Sequence, residues 1–133
     1  MKKVLLLFTV LSFFNCTTNE SLEELPEDTI IGRWIPDGFQ GRVLYEFTKT
    51  KRFTFYSTNG SFQSVEELLN EGRSGNDWWL DGDKITVDLN FGNLSSRNFE
   101  FKCNSNVVEW LNDDGEMLEL YYRENYNLSD CNE

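Results

Sequence analysis

The sequence predicts an all-β domain, an antiparallel up-and-down meander of about eight strands closed into a small barrel. Three observations predict it. From residue 30 onward apolar and polar residues alternate with a period of two, the pattern of half-buried strands. Short turn segments join the runs: Lys49-Thr50-Lys51, Asp81-Gly82-Asp83, Asn104-Ser105-Asn106 and Asp113-Asp114-Gly115. Connections this short force antiparallel neighbours. Nowhere is there the spacing that a βαβ crossover needs.

The elements follow in order. Strands are expected near 30–35, 41–48, 52–57, 60–63, 76–81, 83–90, 97–103 and 106–112, with 116–123 a ninth or a replacement for the weakest. In the first half Val43, Tyr45 and Phe47 share a face, as do Phe53 and Phe55, with Arg52 and Thr54 turned outward. The clearest run is 83–90, where Ile85, Val87 and Leu89 oppose Lys84, Thr86, Asp88 and Asn90. Phe99, Phe101 and Cys103 then oppose Asn98, Glu100 and Lys102. Val108 and Trp110 oppose Glu109, and Leu118, Leu120 and Tyr122 oppose Met117, Glu119 and Tyr121. On this register the inward set holds Phe47, Phe53, Phe55, Trp79, Phe99, Phe101, Trp110 and Tyr122. One segment departs from period two. Residues 64–71 begin with the capping-box pattern Ser64-x-x-Glu67, carry Val65, Leu68 and Leu69, and stop before Gly72. They predict a short helix, the alternative being a hairpin with an irregular loop. A meander with one apolar face per strand hides that face and its edges by closing into a barrel. With eight strands the interior admits packed side chains or one small ligand.

Composition excludes much. The chain has 133 residues, room for one domain, with 12 basic against 23 acidic residues and a formal charge of −11. There is no histidine, so Ser-His-Asp and Cys-His chemistry, a histidine base and a histidine-ligated zinc are all impossible. An acidic chain also lacks the clustered Lys and Arg that nucleic acids and anionic lipid head groups select. Asn and Asp gather near 76–83 and 112–114, but neither group has the Asp-x-Asp-x-Asp-Gly spacing of a calcium loop. No metal or other cofactor is expected, and no catalytic residue is assigned.

The first residues carry an address. Lys2 and Lys3 precede an apolar run from Val4 to Phe14, about 11 residues against the roughly 20 that a membrane-spanning helix needs. This reads as a signal peptide over 1–15. Cys16, directly after the run and before a polar stretch, resembles the lipidated cysteine of bacterial lipoproteins. Asn15 and Phe13 stand where that family usually has a small residue and Leu. The resemblance implies an N-terminal lipid on Cys16, palmitate included, and a place in the cell envelope. In that family an Asp after the cysteine retains the protein at the inner membrane of enteric bacteria, so Thr17 implies the outer membrane, on its periplasmic or surface face. Removing 1–15 deletes Lys2 and Lys3 and no acid, which takes the formal charge from −11 to −13. Residues 16–29 read as an acidic tether. In an exported protein Cys103 and Cys131 are the natural pair for a disulfide, fastening the tail 125–133 to the body. The alternative is a buried thiol at Cys103 and a free one at Cys131.

Gly32-Arg33-Trp34 at the head of the meander, together with Trp79-Leu80-Asp81-Gly82-Asp83-Lys84-Ile85-Thr86-Val87, resembles the lipocalin-like domain of bacterial lipoproteins, over about residues 30–124. The resemblance implies that Trp34 plugs the closed end of the barrel and that an arginine after the last strand, here Arg123, packs over its ring. The Thr-Asp-Tyr-type turn of the transport lipocalins is missing, so their retinoid and fatty-acid binding is not carried over. The expected function is a non-catalytic binding module for a small apolar ligand, with a cavity of about 300 Å³ or more at one end of the barrel. The alternative is a structural, protein-binding or glycan-binding module with a filled barrel and a surface site around Trp78 or the helix at 64–71. Trp78, Trp79 and Trp110 are the candidate ligand or surface contacts. Trp78 and Trp79 are adjacent on one strand and so face opposite ways.

Overall fold

A computed structural model describes residues 29–132. The signal segment, Cys16 and most of the tether lie outside the described residues, so the lipidation expectation has no structural counterpart. Eight strands follow one another: β1 (Gly32–Pro36), β2 (Val43–Phe47), β3 (Lys51–Tyr56), β4 (Asn76–Asp81), β5 (Lys84–Asp88), β6 (Leu94–Lys102), β7 (Val107–Leu111) and β8 (Met117–Arg123). Each pairs antiparallel with the next, and β8 returns to β1, so the sheet closes on itself. A helix, α1 (Val65–Asn70), lies between β3 and β4.

The expected strand at 60–63 does not form, and 116–123 supplies the eighth strand in its place. The reason is local. Ser57 Oγ accepts from the backbone N–H of Asn59 and Gly60, and Asn59 Oδ1 accepts from that of Ser61. Side chains that bind nearby backbone compete with a ladder. The helix does form: Ser64 Oγ accepts from the Glu67 N–H at 3.2 Å, and the Glu67 carboxylate accepts from the Ser64 N–H at 2.7 Å, the reciprocal bonds of a capping box.

Two apolar layers result. Inside the barrel stand Trp34, Phe47, Trp78, Ile85, Val87, Val108, Trp110 and Tyr121, with Tyr45, Leu80, Phe99 and Phe101 packed against them. Outside, a second cluster holds Ile35, Leu44, Phe53, Phe55, Val107 and Tyr122 under Leu68 of α1 and under Leu128 and Cys131 of the tail. This corrects the inward set. Phe53, Phe55 and Tyr122 belong to the outer cluster, and Trp79 is 40% exposed. Phe47 pairs with Arg52 across β2 and β3, so Arg52 shares the inward face with Phe47, and Phe53 and Phe55 take the other. On β8 the same inversion puts Tyr121 inside and Tyr122 outside. Cys103 also leaves the face of Phe99 and Phe101. The β6 strand ends at Lys102 and Cys103 turns into the left-handed region at φ 52°, joining the outer cluster. There it forms a disulfide with Cys131, which closes a loop that the chain-entropy model values at roughly 3 to 4 kcal/mol.

The seam between β8 and β1 is where the barrel closes. Trp34 is fully buried, and its indole Nε1 donates to the Ile30 carbonyl at 2.7 Å. Arg123 stands opposite Trp34 in the ladder, its guanidinium carbon 4.0 Å from the ring centroid. It donates from Nη1 to the Ile31 carbonyl at 2.7 Å, from Nη2 to the Thr29 carbonyl, and from Nε to the Ser105 carbonyl at 3.4 Å. Gly32 is required here twice over. Its φ is +124°, and a Cβ on it would stand 2.5 Å from Arg123 Nη1. Gly32→Ala is therefore expected to destabilise the fold by about 1–3 kcal/mol or more, from backbone strain together with displacement of the guanidinium. Urea unfolding measures this. The loss shrinks when Arg123 is already Ala, because part of it arises from that contact.

Candidate functional site

Within the barrel, beyond the Trp34 and Arg123 pair, lies a cavity of about 230 Å³. Its wall is built by alternation on six strands. Tyr45 and Phe47 come from β2, Arg52 from β3, Ile85 and Val87 from β5, Ser95 and Arg97 from β6, and Glu119 and Tyr121 from β8, with Trp110 of β7 between the last two groups. Where a strand contributes two residues they are two apart, so both look into one space. The volume is below the 300 Å³ or more expected for an apolar-ligand site. Rings take up the difference, since Phe47, Phe99 and Tyr121 all pack within 6.4 Å of the Trp110 ring, centroid to centroid.

The polar groups form one satisfied network and one open end. Glu119 holds Arg97 at 2.9 Å and accepts from the Tyr121 hydroxyl at 2.7 Å. The Arg52 guanidinium carbon lies 4.9 Å from the centroid of the Tyr45 ring. Burial pushes the Tyr121 phenol well above the ordinary tyrosine range, and Glu119 beside it pushes the same way. The Tyr45 phenol is also raised by burial, with Arg52 opposing. Both rings are neutral hydrogen-bonding groups at physiological pH.

The candidate residues are distributed unevenly around this site. Trp110 lines the cavity. Trp78 is buried beneath it, edge-on to Phe47 at 5.4 Å, with its Nε1 donating to the Thr48 carbonyl at 2.8 Å. It is thus a core residue, and no surface site forms around it. Trp79 faces outward from β4 and stands apart from the cavity. Gly32, Trp34 and Arg123 form the closed seam and do not line the cavity. Sequence reasoning missed Tyr45, Arg52, Arg97, Glu119 and Tyr121 as site residues. For Arg97 the signal was there, since period two from Phe99 and Phe101 puts it on their face. For Arg52, Glu119 and Tyr121 alternation alone puts the opposite face of β3 and β8 inward.

Among the described residues no group of three or more acidic or cysteine side chains gathers as metal ligands, and no helix is long and apolar enough to cross a membrane. Compared with known proteins, the chain matches no family model, no curated protein and no solved structure.

The raised phenol gives a test of the site's geometry. For a group that is neutral when protonated, a folded pKa above the unfolded value means that the unfolded chain loses the proton first. Folding stability should therefore fall as pH rises above 10. Absorbance titration is expected to show two phenols, Tyr45 and Tyr121, ionising above the ordinary tyrosine range. Tyr121→Phe should remove much of the alkaline loss of stability, measured as the urea midpoint at pH 8 and pH 11.

Proposed function

We propose that this chain is a lipid-anchored protein of the cell envelope, of lipocalin-like type, whose barrel is a non-catalytic binding module for one small ligand with a largely apolar body. The observation that carries the reading is the cavity itself. It is an interior space of about 230 Å³ whose wall combines the apolar side chains of Phe47, Ile85, Val87, Leu89 and Trp110 with polar ones from β2, β3, β6 and β8. Binding sites for small molecules set an apolar surface beside polar groups that fix orientation. A filled barrel, the premise of a purely structural module, leaves no such space.

Size limits the ligand. At roughly 30 Å³ for each water-sized volume, the cavity holds on the order of eight of them, which suits a molecule of about ten heavy atoms. Long-chain lipids are too large. The rim is also apolar at the β5–β6 turn, where Leu89, on the cavity wall, is 44% exposed, Phe91 is fully exposed and Leu94 at the start of β6 is 60% exposed. An apolar lip favours a ligand that is itself partly apolar.

The anchoring half of the reading rests on Lys2, Lys3, the apolar run and Cys16. It places the barrel at a membrane surface on its acidic tether. Two measurements test the two halves separately. Labelled palmitate should be incorporated by the natural chain and lost in Cys16→Ala; label retained by the variant refutes the anchor. Native mass spectrometry of protein purified from its own host should show a bound species below about 200 Da. A molecule that fills the cavity should also quench or shift Trp110 fluorescence, and this change should disappear in Trp110→Phe.

A further inference from the structure

Charge on the cavity wall is unbalanced. Five titratable side chains line it: Tyr45, Arg52, Arg97, Glu119 and Tyr121. The two phenols are neutral, and Arg97 is matched by Glu119 at 2.9 Å. Arg52 is left over. Among the described residues no carboxylate oxygen stands within 4 Å of its nitrogens, although acids outnumber bases 23 to 12 in the chain. The side chain next to Arg52 is the ring of Tyr45, which offers a π face but cannot neutralise the charge. The cavity therefore carries one net positive charge.

Unmet hydrogen bonding points to the same place. Arg52 Nε is closed off from water and has no acceptor, and Trp110 Nε1 is in the same condition. Buried donors without partners are uncommon; the third among the described residues, Arg33 Nε, lies 3.4 Å from Glu46 Oε2 in an ion pair away from the cavity. Arg52 and Trp110 both belong to the wall of one cavity. A guanidinium presents a planar fork that matches the two oxygens of a carboxylate, and such charge-assisted pairs are stronger in a space shielded from water.

We infer that the cavity binds a small monocarboxylate with a compact apolar or aromatic body, its carboxylate held by Arg52 and its body against Phe47, Ile85 and Val87. This rests on the cavity-binding reading above and names its ligand class. A single negative charge brings the cavity to neutrality. A phosphate dianion would overshoot it, and inorganic phosphate would leave the apolar wall unfilled.

The test uses the full chain and three probes that differ in one property at a time: benzoate, its neutral isostere benzamide, and inorganic phosphate. Calorimetric titration should show benzoate binding at least about tenfold tighter than benzamide, as expected for a charge-assisted pair against a neutral one, and phosphate not binding. Arg52→Met should weaken benzoate about tenfold or more and leave benzamide nearly unchanged, with Arg52→Lys intermediate. Equal binding of benzoate and benzamide would overturn the carboxylate inference and leave the cavity reading standing. Binding of neither in the millimolar range would overturn both. Phosphate binding as tightly as benzoate would show a plain anion site without a role for the apolar body, again overturning the inference. Should Arg52→Met fail to fold, the comparison of benzoate with benzamide on the unaltered chain still decides.

Discussion

The whole barrel depends on the contact between Arg123 and Trp34 at the seam of β8 and β1. A meander becomes a barrel only if its first and last strands find each other, and these two are the most distant in sequence. Arg123 joins them in three ways at once: through the backbone ladder, through the face of the indole, and through hydrogen bonds to the Thr29 and Ile31 carbonyls. A cation over an indole contributes roughly 0.5 to 2 kcal/mol depending on desolvation. Here the guanidinium also ties down the stretch just before β1 through the Thr29 and Ile31 carbonyls. Gly32 belongs to the same device, because no other residue leaves room for the guanidinium at that backbone angle.

Closure at one end leaves the other to chemistry. The rings of Trp34 and Phe101 lie 6.2 Å apart near the seam. Along β8 the inward residues change from Arg123 to Tyr121 to Glu119, and along β6 from Phe101 to Phe99 to Arg97. The interior thus grades from a packed plug to a polar-walled space. Arg97 and Glu119 come from strands on either side of β7, and their pairing stiffens the wall next to Trp110. Arg52, on the other side, has no such counterpart.

A barrel is usually pictured with one oily side and one wet side, and this one has two oily sides. Helix α1 and the C-terminal tail cover the outer face of β1, β2, β3, β7 and β8. The disulfide keeps the tail in place, and the capping box keeps a helix of six residues in register where packing alone would be marginal. This covering explains why aromatic residues at Phe53, Phe55 and Tyr122 can point away from the barrel axis and still be buried.

The sequence by itself determined the fold class, the antiparallel order, seven of the eight strands among the first eight expected, the helix at 64–71 and the opportunity for a Cys103–Cys131 bridge. All of these depend on local periodicity, turn chemistry and spacing, which are legible one segment at a time. It also determined what the protein cannot do by histidine chemistry. Which face of each strand looks inward was decided only by the tertiary structure. Alternation has the same signature for either face, and once α1 and the tail cover the outside, hydrophobicity no longer tells in from out. The site was illegible for the same reason. Arg52, Arg97, Glu119 and Tyr121 are ordinary strand residues in one dimension, and only the closing of β8 on β1 brings them around one cavity with a charge left unmatched.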